Sequence, residues 1–415
     1  MAITLNLSAS ANLNKSLKID AIRFLAAVWV LMYHFKPPAF KELLPHQLAF
    51  LGGALWSGST ALFAGPAAVI VFFVISGYCI HNAYQKDVTL KPINYYASRF
   101  IRIGLPLVIL LCLVQPLPTG QNYLESVLWS LYCEMVYYAA YPLLRARFRY
   151  IGEMIVGCAV AAGVMVAVVR LIGHPVCHGC VIETYGVPGT ALLYAAGWIF
   201  GCLIAETQRN AEQFHVRGAY SPLTLMIKRG LDRSTRFLAN HLVALRVVIV
   251  AAGAAVMILL SESNLKPAVV PLITPDITLP LFQFLAAIWI AAETATPSRS
   301  SVWSRLATFG AWSYSLYLCH KMALALLEMT RFDETSRFAW FVQVALAFAI
   351  SYAFYRMIEK PSHLISQRLR KYTPNAPAAP LPEADCMSGC MSEPAITVSG
   401  ASGPLPDRPI SASAS

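Results

Sequence analysis

Long apolar runs alternate with short polar connectors along most of this chain. Runs of about 17 to 25 residues, the length of a membrane-spanning helix, occur at ten places. They lie near residues 19–36, 65–84, 101–117, 124–144, 151–172, 189–206, 242–261, 277–295, 308–330 and 338–357. The pattern therefore predicts an all-α, polytopic integral membrane helix bundle of about ten transmembrane helices.

The chain departs from this pattern at its two ends and in one connector. Residues 1–16 form a polar N-terminal tail without the features of a cleaved signal, and residues 17–371 hold the predicted membrane domain. Residues 372–415 are rich in Pro, Ala and Ser without a periodic apolar face, which predicts a disordered cytoplasmic tail. The basic connector 207–241 fits a helix on the inner leaflet and a solvated loop equally well.

Composition and charge placement support a membrane protein. With 57% hydrophobic and 13% charged residues, the chain could not cover the surface of a soluble globule of this size. The net charge of +11 reflects topology: with the N-terminus inside, 25 of the 32 Lys and Arg residues fall on the inner side and 6 on the outer side. We therefore expect cytoplasmic termini and the lipid bilayer as partner, with no nucleic acid.

Ionisable residues within the first predicted span are the first candidates for chemistry. Asp20, Arg23 and His34 lie in this span. The eleven-residue step from Arg23 to His34 corresponds to about three helical turns and a rise of about 16 Å, so both lie on one face. They form either a functional pair or a snorkelling arginine and a histidine bonded to a neighbour.

Two later spans also carry ionisable residues. Glu134 lies near mid-depth and is flanked by Trp129 and several tyrosines. Such a carboxylate is either protonated and bonded to a tyrosine or paired with a cation. A histidine oriented by a glutamate takes protons from hydroxyls in many enzymes, but the same pair serves proton relays in transporters. The ninth predicted span carries His320 and Lys321. A lysine at this depth indicates either an anionic partner or a tilted helix that brings Lys321 to a water-filled vestibule.

Two further patterns lie in connectors. Arg99 and Arg102 are one turn apart, which suits a phosphate, although topology alone would also explain them. The segment HPVCHGC, residues 174–180, contains two histidines and two cysteines whose spacing matches no standard zinc site. We therefore predict no metal there, and a disulfide or free thiols instead.

Six segments, in order, resemble the motifs of acyltransferase family 3, whose members are integral membrane proteins. The resemblance covers about residues 17–371. The segments are IDAIRFLAAVWVLMYHF (19–35), FFVISGYCI (72–80), SRFIRI (98–103), LWSLYCEMVYY (128–138), SYSLYLCH (313–320) and YRMIEKP (355–361).

The resemblance implies transfer of an acyl group, usually acetyl, from cytoplasmic acyl-CoA to hydroxyls of carbohydrates and related compounds. His34 and Glu134 would be catalytic, with His34 tuned by Glu134 or Asp20. The residues expected to bind acyl-CoA or substrate are Asp20, Arg23, Arg99, Arg102, Trp129, His320 and Lys321. No cofactor would be permanently bound, because acetyl-CoA or another acyl-CoA is a substrate.

The expected acceptor is a sugar hydroxyl on a surface polysaccharide or its lipid-linked precursor, at the bacterial inner membrane. Acylation of a small secondary metabolite is an alternative within the same chemistry. A proton-coupled transporter would use the same intramembrane His, Glu and Arg residues without acyl-CoA. A catalytically silent scaffold for polysaccharide assembly would keep its phenotype after His34→Ala.

Overall fold

The described residues of the computed structural model form regular helices and short connections. They are residues 2–35, 57–84, 90–117, 120–172, 181–208, 219–265, 274–296, 301–330 and 339–371. Every regular element in these ranges is helical, and all belong to one compact unit, Met1–Tyr372. The predicted disordered tail and the HPVCHGC segment lie outside the described residues.

The helices follow one another along the chain with short connections. They are α1 (Ala2–Phe35), α2 (Gly65–Tyr84), α3 (Pro92–Arg99), α4 (Leu105–Val114), α5 (Gly120–Ala146), α6 (Ile151–Leu171), α7 (Val181–Thr207), α8 (Pro222–Leu238), α9 (Leu242–Leu265), α10 (Pro275–Ala295), α11 (Ser301–Gly310), α12 (Ser313–Cys319), α13 (Met322–Met329), α14 (Ala339–Phe354) and α15 (Lys360–Lys371). Two π-helical turns, Phe100–Gly104 and Tyr355–Glu359, join α3 to α4 and α14 to α15.

Seven helical stretches of the described chain are long and apolar enough to cross a membrane. They are Ser57–Tyr84, Pro92–Val114, Phe148–Leu171, Val181–Thr207, Pro222–Ile258, Pro275–Ala295 and Ala339–Arg370. Each coincides with one of the ten predicted spans. Two more predictions, 19–36 and 124–144, fall on the helices α1 and α5. The count of ten and the cytoplasmic termini stay predictions.

The span predicted at 308–330 is divided into α11, α12 and α13. Gly310 ends α11 against α1, where a Cβ on Gly310 would overlap the main-chain oxygen of Asp20. The apolar run continues through this close approach, so hydropathy alone does not reveal the break.

Two regions that were predicted as a polar tail and a basic connector contain helices. α1 begins at Ala2 and thus includes most of the predicted N-terminal tail, whose residues contain no Pro or Gly to interrupt a helix. α8 forms within the basic connector 207–241, with the hydroxyl of Ser221 accepting a hydrogen bond from the backbone nitrogen of Thr224 at 3.1 Å. The described part of this connector therefore follows the helical alternative.

Both π-helical turns have a proline shortly after them. Pro106 follows Phe100–Gly104, and Pro361 follows Tyr355–Glu359. A proline has no N–H for the carbonyl four residues earlier, and its ring crowds that carbonyl. In both cases that carbonyl lies inside the widened turn, so the prolines explain the local change from α-helix to π-helix. Such turns are frequent at functional sites.

Helices α2 and α7 cross at two glycines. A Cβ added to Gly77 would overlap the carbonyl oxygen of Trp198, and one added to Gly201 would overlap that of Val74. The thiol of Cys202 donates to the carbonyl of Gly77 at 3.3 Å. Small residues of this kind let membrane helices approach closely, so this crossing fixes α2 against α7.

Replacing either glycine by alanine is expected to destabilise the fold. The added methyl must push the two backbones apart, and overpacking of this kind costs about 1 to 3 kcal/mol. The free energy of unfolding of Gly77→Ala and Gly201→Ala, measured by denaturation from mixed micelles, should fall by this amount. Gly157→Ala is the matched control, because its new Cβ meets nothing within 4 Å. Equal stability of all three variants would contradict the close crossing.

Candidate active site

A cavity of about 110 Å³, with room for several water molecules, lies among α1, α2, α5 and the two π-helical turns. Four residues predicted from sequence line it: Arg23, Arg99, Arg102 and Glu134. Further polar lining side chains are Ser76, Cys79, Ser130, Tyr138, Tyr314, Tyr317, Glu359 and His363. We call this space the arginine cavity. Three cationic side chains from two separate sequence motifs therefore meet in one enclosed site.

The three arginines differ in their partners. Arg99 donates from Nη2 to the hydroxyl of Tyr84 at 3.2 Å, and its guanidinium lies 5.2 Å from the centre of the same ring. Arg23 pairs with Asp20 of the same helix at 3.8 Å. Within the described part of the chain, Arg102 makes no hydrogen bond or ion pair. The donors of Arg102 are therefore the most available for an anion in the cavity.

The two carboxylates of the cavity accept hydrogen bonds from neutral groups. Glu134 accepts from the hydroxyl of Ser76 at 2.5 Å and from that of Tyr138. Glu359 accepts from the backbone nitrogen of Ser315 at 3.0 Å and from the hydroxyl of the same residue. Because these serine and tyrosine groups satisfy the carboxylates, the arginines keep donors for a ligand.

A pair of histidines lies beyond one end of the arginine cavity. The ring centres of His34 and His320 are 5.0 Å apart, with the rings tilted by 31°. His34 is partly buried, whereas His320 is only 1% exposed. The following residue, Lys321, is half-buried where the chain passes from α12 to α13. The structure thus brings together three of the residues predicted at opposite ends of the sequence.

Tyr317 adjoins both the arginine cavity and the histidine pair. Tyr317 lines the cavity, and its ring centre lies 6.1 Å from that of His320. Its hydroxyl is hydrogen-bonded to Ser130 at 2.6 Å, and its ring packs edge-on against Phe72 at 5.6 Å. The cavity and the histidine pair therefore have Tyr317 as a common neighbour.

Asp20, Glu134 and Trp129 do not contact the histidine pair among the described interactions. Among the described interactions, Glu134 contacts cavity residues and Asp20 contacts Arg23, and neither carboxylate is bonded to His34. Trp129 lies outside the cavity lining, with its ring 6.2 Å from those of Phe73 and Tyr194.

Sequence reasoning missed two ionisable residues of the cavity. Glu359 lies in the segment YRMIEKP, and His363 follows it by one helical turn. A carboxylate directly after an apolar run was the available signal. Its proximity to the arginines depends on how α15 packs against α3, which periodicity does not report.

These features define a multi-pass helical membrane protein with a cluster of arginines, carboxylates and histidines inside its bundle. A family comparison then gives the class of enzyme. Residues 16–356 match the model of an acyltransferase domain, that of acyltransferase family 3. The chain belongs to this family and is a membrane acyltransferase. No curated protein and no solved structure gives a significant match to the chain.

Proposed function

We propose that the protein is an O-acetyltransferase of the bacterial inner membrane. It would transfer the acetyl group of cytoplasmic acetyl-CoA to a sugar hydroxyl on a surface polysaccharide or its lipid-linked precursor. The observation that carries the proposal is the convergence of Arg23, Arg99 and Arg102 on one cavity next to the histidine pair. Coenzyme A carries several phosphate charges, and arginine is the side chain best suited to bind them inside a protein.

The cavity gives each part of the donor a suitable surrounding. The arginines would bind phosphate through charge-assisted hydrogen bonds. The apolar lining, with Phe72, Phe73 and Leu131 among it, would contact the uncharged arm that leads to the thioester. The thioester would then lie near Tyr317, between the arginines and His34. We call the phosphate-binding part the donor site.

The histidine pair would carry the chemistry. His34 would activate the acceptor hydroxyl or relay the acyl group, as a positioned imidazole does in many transferases. Glu134 lies within the donor site, where it would keep Ser76 and Tyr138 in place. Ping-pong kinetics would indicate an acyl-His34 intermediate, and sequential kinetics would indicate direct transfer.

Loss of His34 is expected to abolish glycan acetylation. Surface glycans from cells that lack the protein should lose a base-labile ester with the mass of an acetyl group. Wild-type protein should restore the ester, and His34→Ala should not, because the variant lacks the imidazole that activates the hydroxyl or relays the acyl group. Glu134→Ala should also fail to restore it. Mass analysis of the glycans at matched membrane abundance makes the comparison.

The exposed His241 supplies the control, because His241→Ala should restore the ester fully. Unchanged glycans in every strain would reject the polysaccharide acceptor. In that case acetyl-CoA turnover with small hydroxyl compounds, and transport driven by a pH gradient, are the measurements that separate the metabolite and transporter alternatives.

A further inference from the structure

A hydrogen bond to the main chain fixes the tautomer of the His320 imidazole. Its Nδ1 lies 2.7 Å from the main-chain oxygen of Tyr317. A carbonyl only accepts hydrogen bonds, so Nδ1 must carry the proton. The second nitrogen, Nε2, is then a free acceptor in the neutral ring.

The end of α12 explains why this arrangement forms. The helix ends at Cys319, and the last carbonyls of a helix have no N–H partner within it. The imidazole of His320, just past the helix end, folds back onto the carbonyl of Tyr317 and satisfies it. The break between α12 and α13 thus orients the ring as well as interrupting the predicted span.

The second ring nitrogen of His320 is buried and has no hydrogen-bond partner among the described residues. Nε2 is shielded from solvent and has no hydrogen-bond partner among the described residues, and the whole residue is 1% exposed. A buried polar atom without a partner costs free energy and requires an explanation. Here the ring faces His34 at 5.0 Å and adjoins Tyr317 of the cavity wall. A hydroxyl that enters beside the His320 ring, in the plane of the ring, would supply the missing hydrogen bond.

We infer that Nε2 of His320 binds the acceptor hydroxyl and takes its proton. This inference rests on the proposed function and assigns a separate task to each histidine. An imidazole whose Nδ1–H is held by an oxygen while Nε2 faces a hydroxyl is the arrangement of a general base. The carbonyl of Tyr317 supplies that oxygen for His320. His34 is then available to contact the acyl group.

The transfer step balances with these groups. The hydroxyl oxygen forms a bond to the acyl carbon as its proton moves to Nε2 of His320. The bond from the acyl carbon to its leaving atom breaks, and that atom keeps the electron pair. The leaving atom is the thioester sulfur in direct transfer, or the His34 nitrogen if His34 relays the acyl group. The proton on His320 then passes to the leaving group or to water.

Two variants test the base. His320→Phe keeps the ring volume without nitrogen, and His320→Gln offers a hydrogen-bond acceptor that does not take up a proton. Membrane vesicles from the native host, which contain the natural acceptor, are supplied with radiolabelled acetyl-CoA, and base-labile label is counted. Both variants should lower transfer by about 100-fold or more, the usual size of a general-base effect. Their KM for acetyl-CoA should not rise by more than about twofold over the wild type, because the base acts after donor binding.

A matched control and an independent readout complete the experiment. His241→Phe, at an exposed position, should transfer as the wild type does. Nitrogen NMR of histidine-labelled protein, with His320→Gln identifying the signal, should show the proton on Nδ1. Transfer by His320→Phe close to the wild-type rate, a donor KM raised as much as transfer falls, or a proton on Nε2 would each overturn the inference. Wild-type vesicles that transfer no label would instead reject the proposed function.

Discussion

Replacement of Arg102 by glutamine is expected to weaken acetyl-CoA binding by about 10- to 150-fold. Hydrogen bonds to charged groups contribute about 1.5 to 3 kcal/mol, and the guanidinium of Arg102 has no competing partner among the described residues. Glutamine keeps a polar side chain of shorter length but loses the charge and the two-pronged geometry. Arg102→Lys should recover part of the affinity, because it restores the charge without that geometry.

The cause of this loss can be assigned with a truncated donor. S-acetylpantetheine carries the thioester and its arm without phosphate, so its binding should be the same in Arg102→Gln and in the wild type. Direct titration of both compounds into purified protein makes the comparison. Arg305→Gln, at an exposed position on α11, removes a cation elsewhere and should change neither affinity. A loss of equal size for both donors would show that Arg102 maintains the shape of the cavity instead of binding phosphate.

The sequence motifs contain the charged residues that we predicted for the site, and the fold explains why several of them meet. Arg99 and Arg102 were candidates because they are one turn apart, a spacing that suits a phosphate. Arg102 lies in the π-helical turn before Pro106, and the spacing of the two arginines in the sequence does not predict this turn. Arg23 and His34 lie on one face of α1, as the eleven-residue step predicts. The structure adds that this helix connects two sites, because Arg23 lines the cavity and His34 contacts His320.

The sequence does not predict which polar groups on distant helices contact each other. Glu359 is bonded to Ser315, which lies 44 positions earlier in the chain. Hydropathy shows that each segment is apolar but does not show which polar atoms will face each other. The same holds for the break at 308–330, where the contact of Gly310 with α1 decides the geometry. Local periodicity predicts helices well, whereas the polar contacts between them depend on three-dimensional packing.

The middle of α1 is held by a buried ionic cluster that the sequence analysis did not identify. The carboxylate of Glu293 on α10 accepts from Nε of Arg246 at 2.5 Å and from Nζ of Lys18 at 3.3 Å. It also accepts from Nε1 of Trp289 at 3.3 Å. Lys18 is 2% exposed and Glu293 is fully buried, so one carboxylate balances two cations between three helices.

Glu293→Gln is expected to lower the free energy of unfolding by about 3 to 5 kcal/mol. Removing the carboxylate leaves the buried ammonium of Lys18 charged and uncompensated, and it also removes the ion pair of the partly exposed Arg246. Adding Lys18→Met should recover part of this loss, because it removes one of the two stranded cations. Denaturation from mixed micelles measures all the variants, and Glu328→Gln, at an exposed position on α13, should change the stability by less than about 0.5 kcal/mol.

The same cluster links stability to the donor site. Lys18 precedes Arg23 by five residues, a rise of about 7.5 Å along α1. Its ammonium also donates to the main-chain oxygen of Glu293 at 2.8 Å, which fixes the depth of α1 against α10. Glu293→Gln should therefore raise the KM for acetyl-CoA even at temperatures where the variant is folded. A folded Glu293→Gln variant with wild-type donor KM would show that the cluster stabilises the bundle without positioning Arg23.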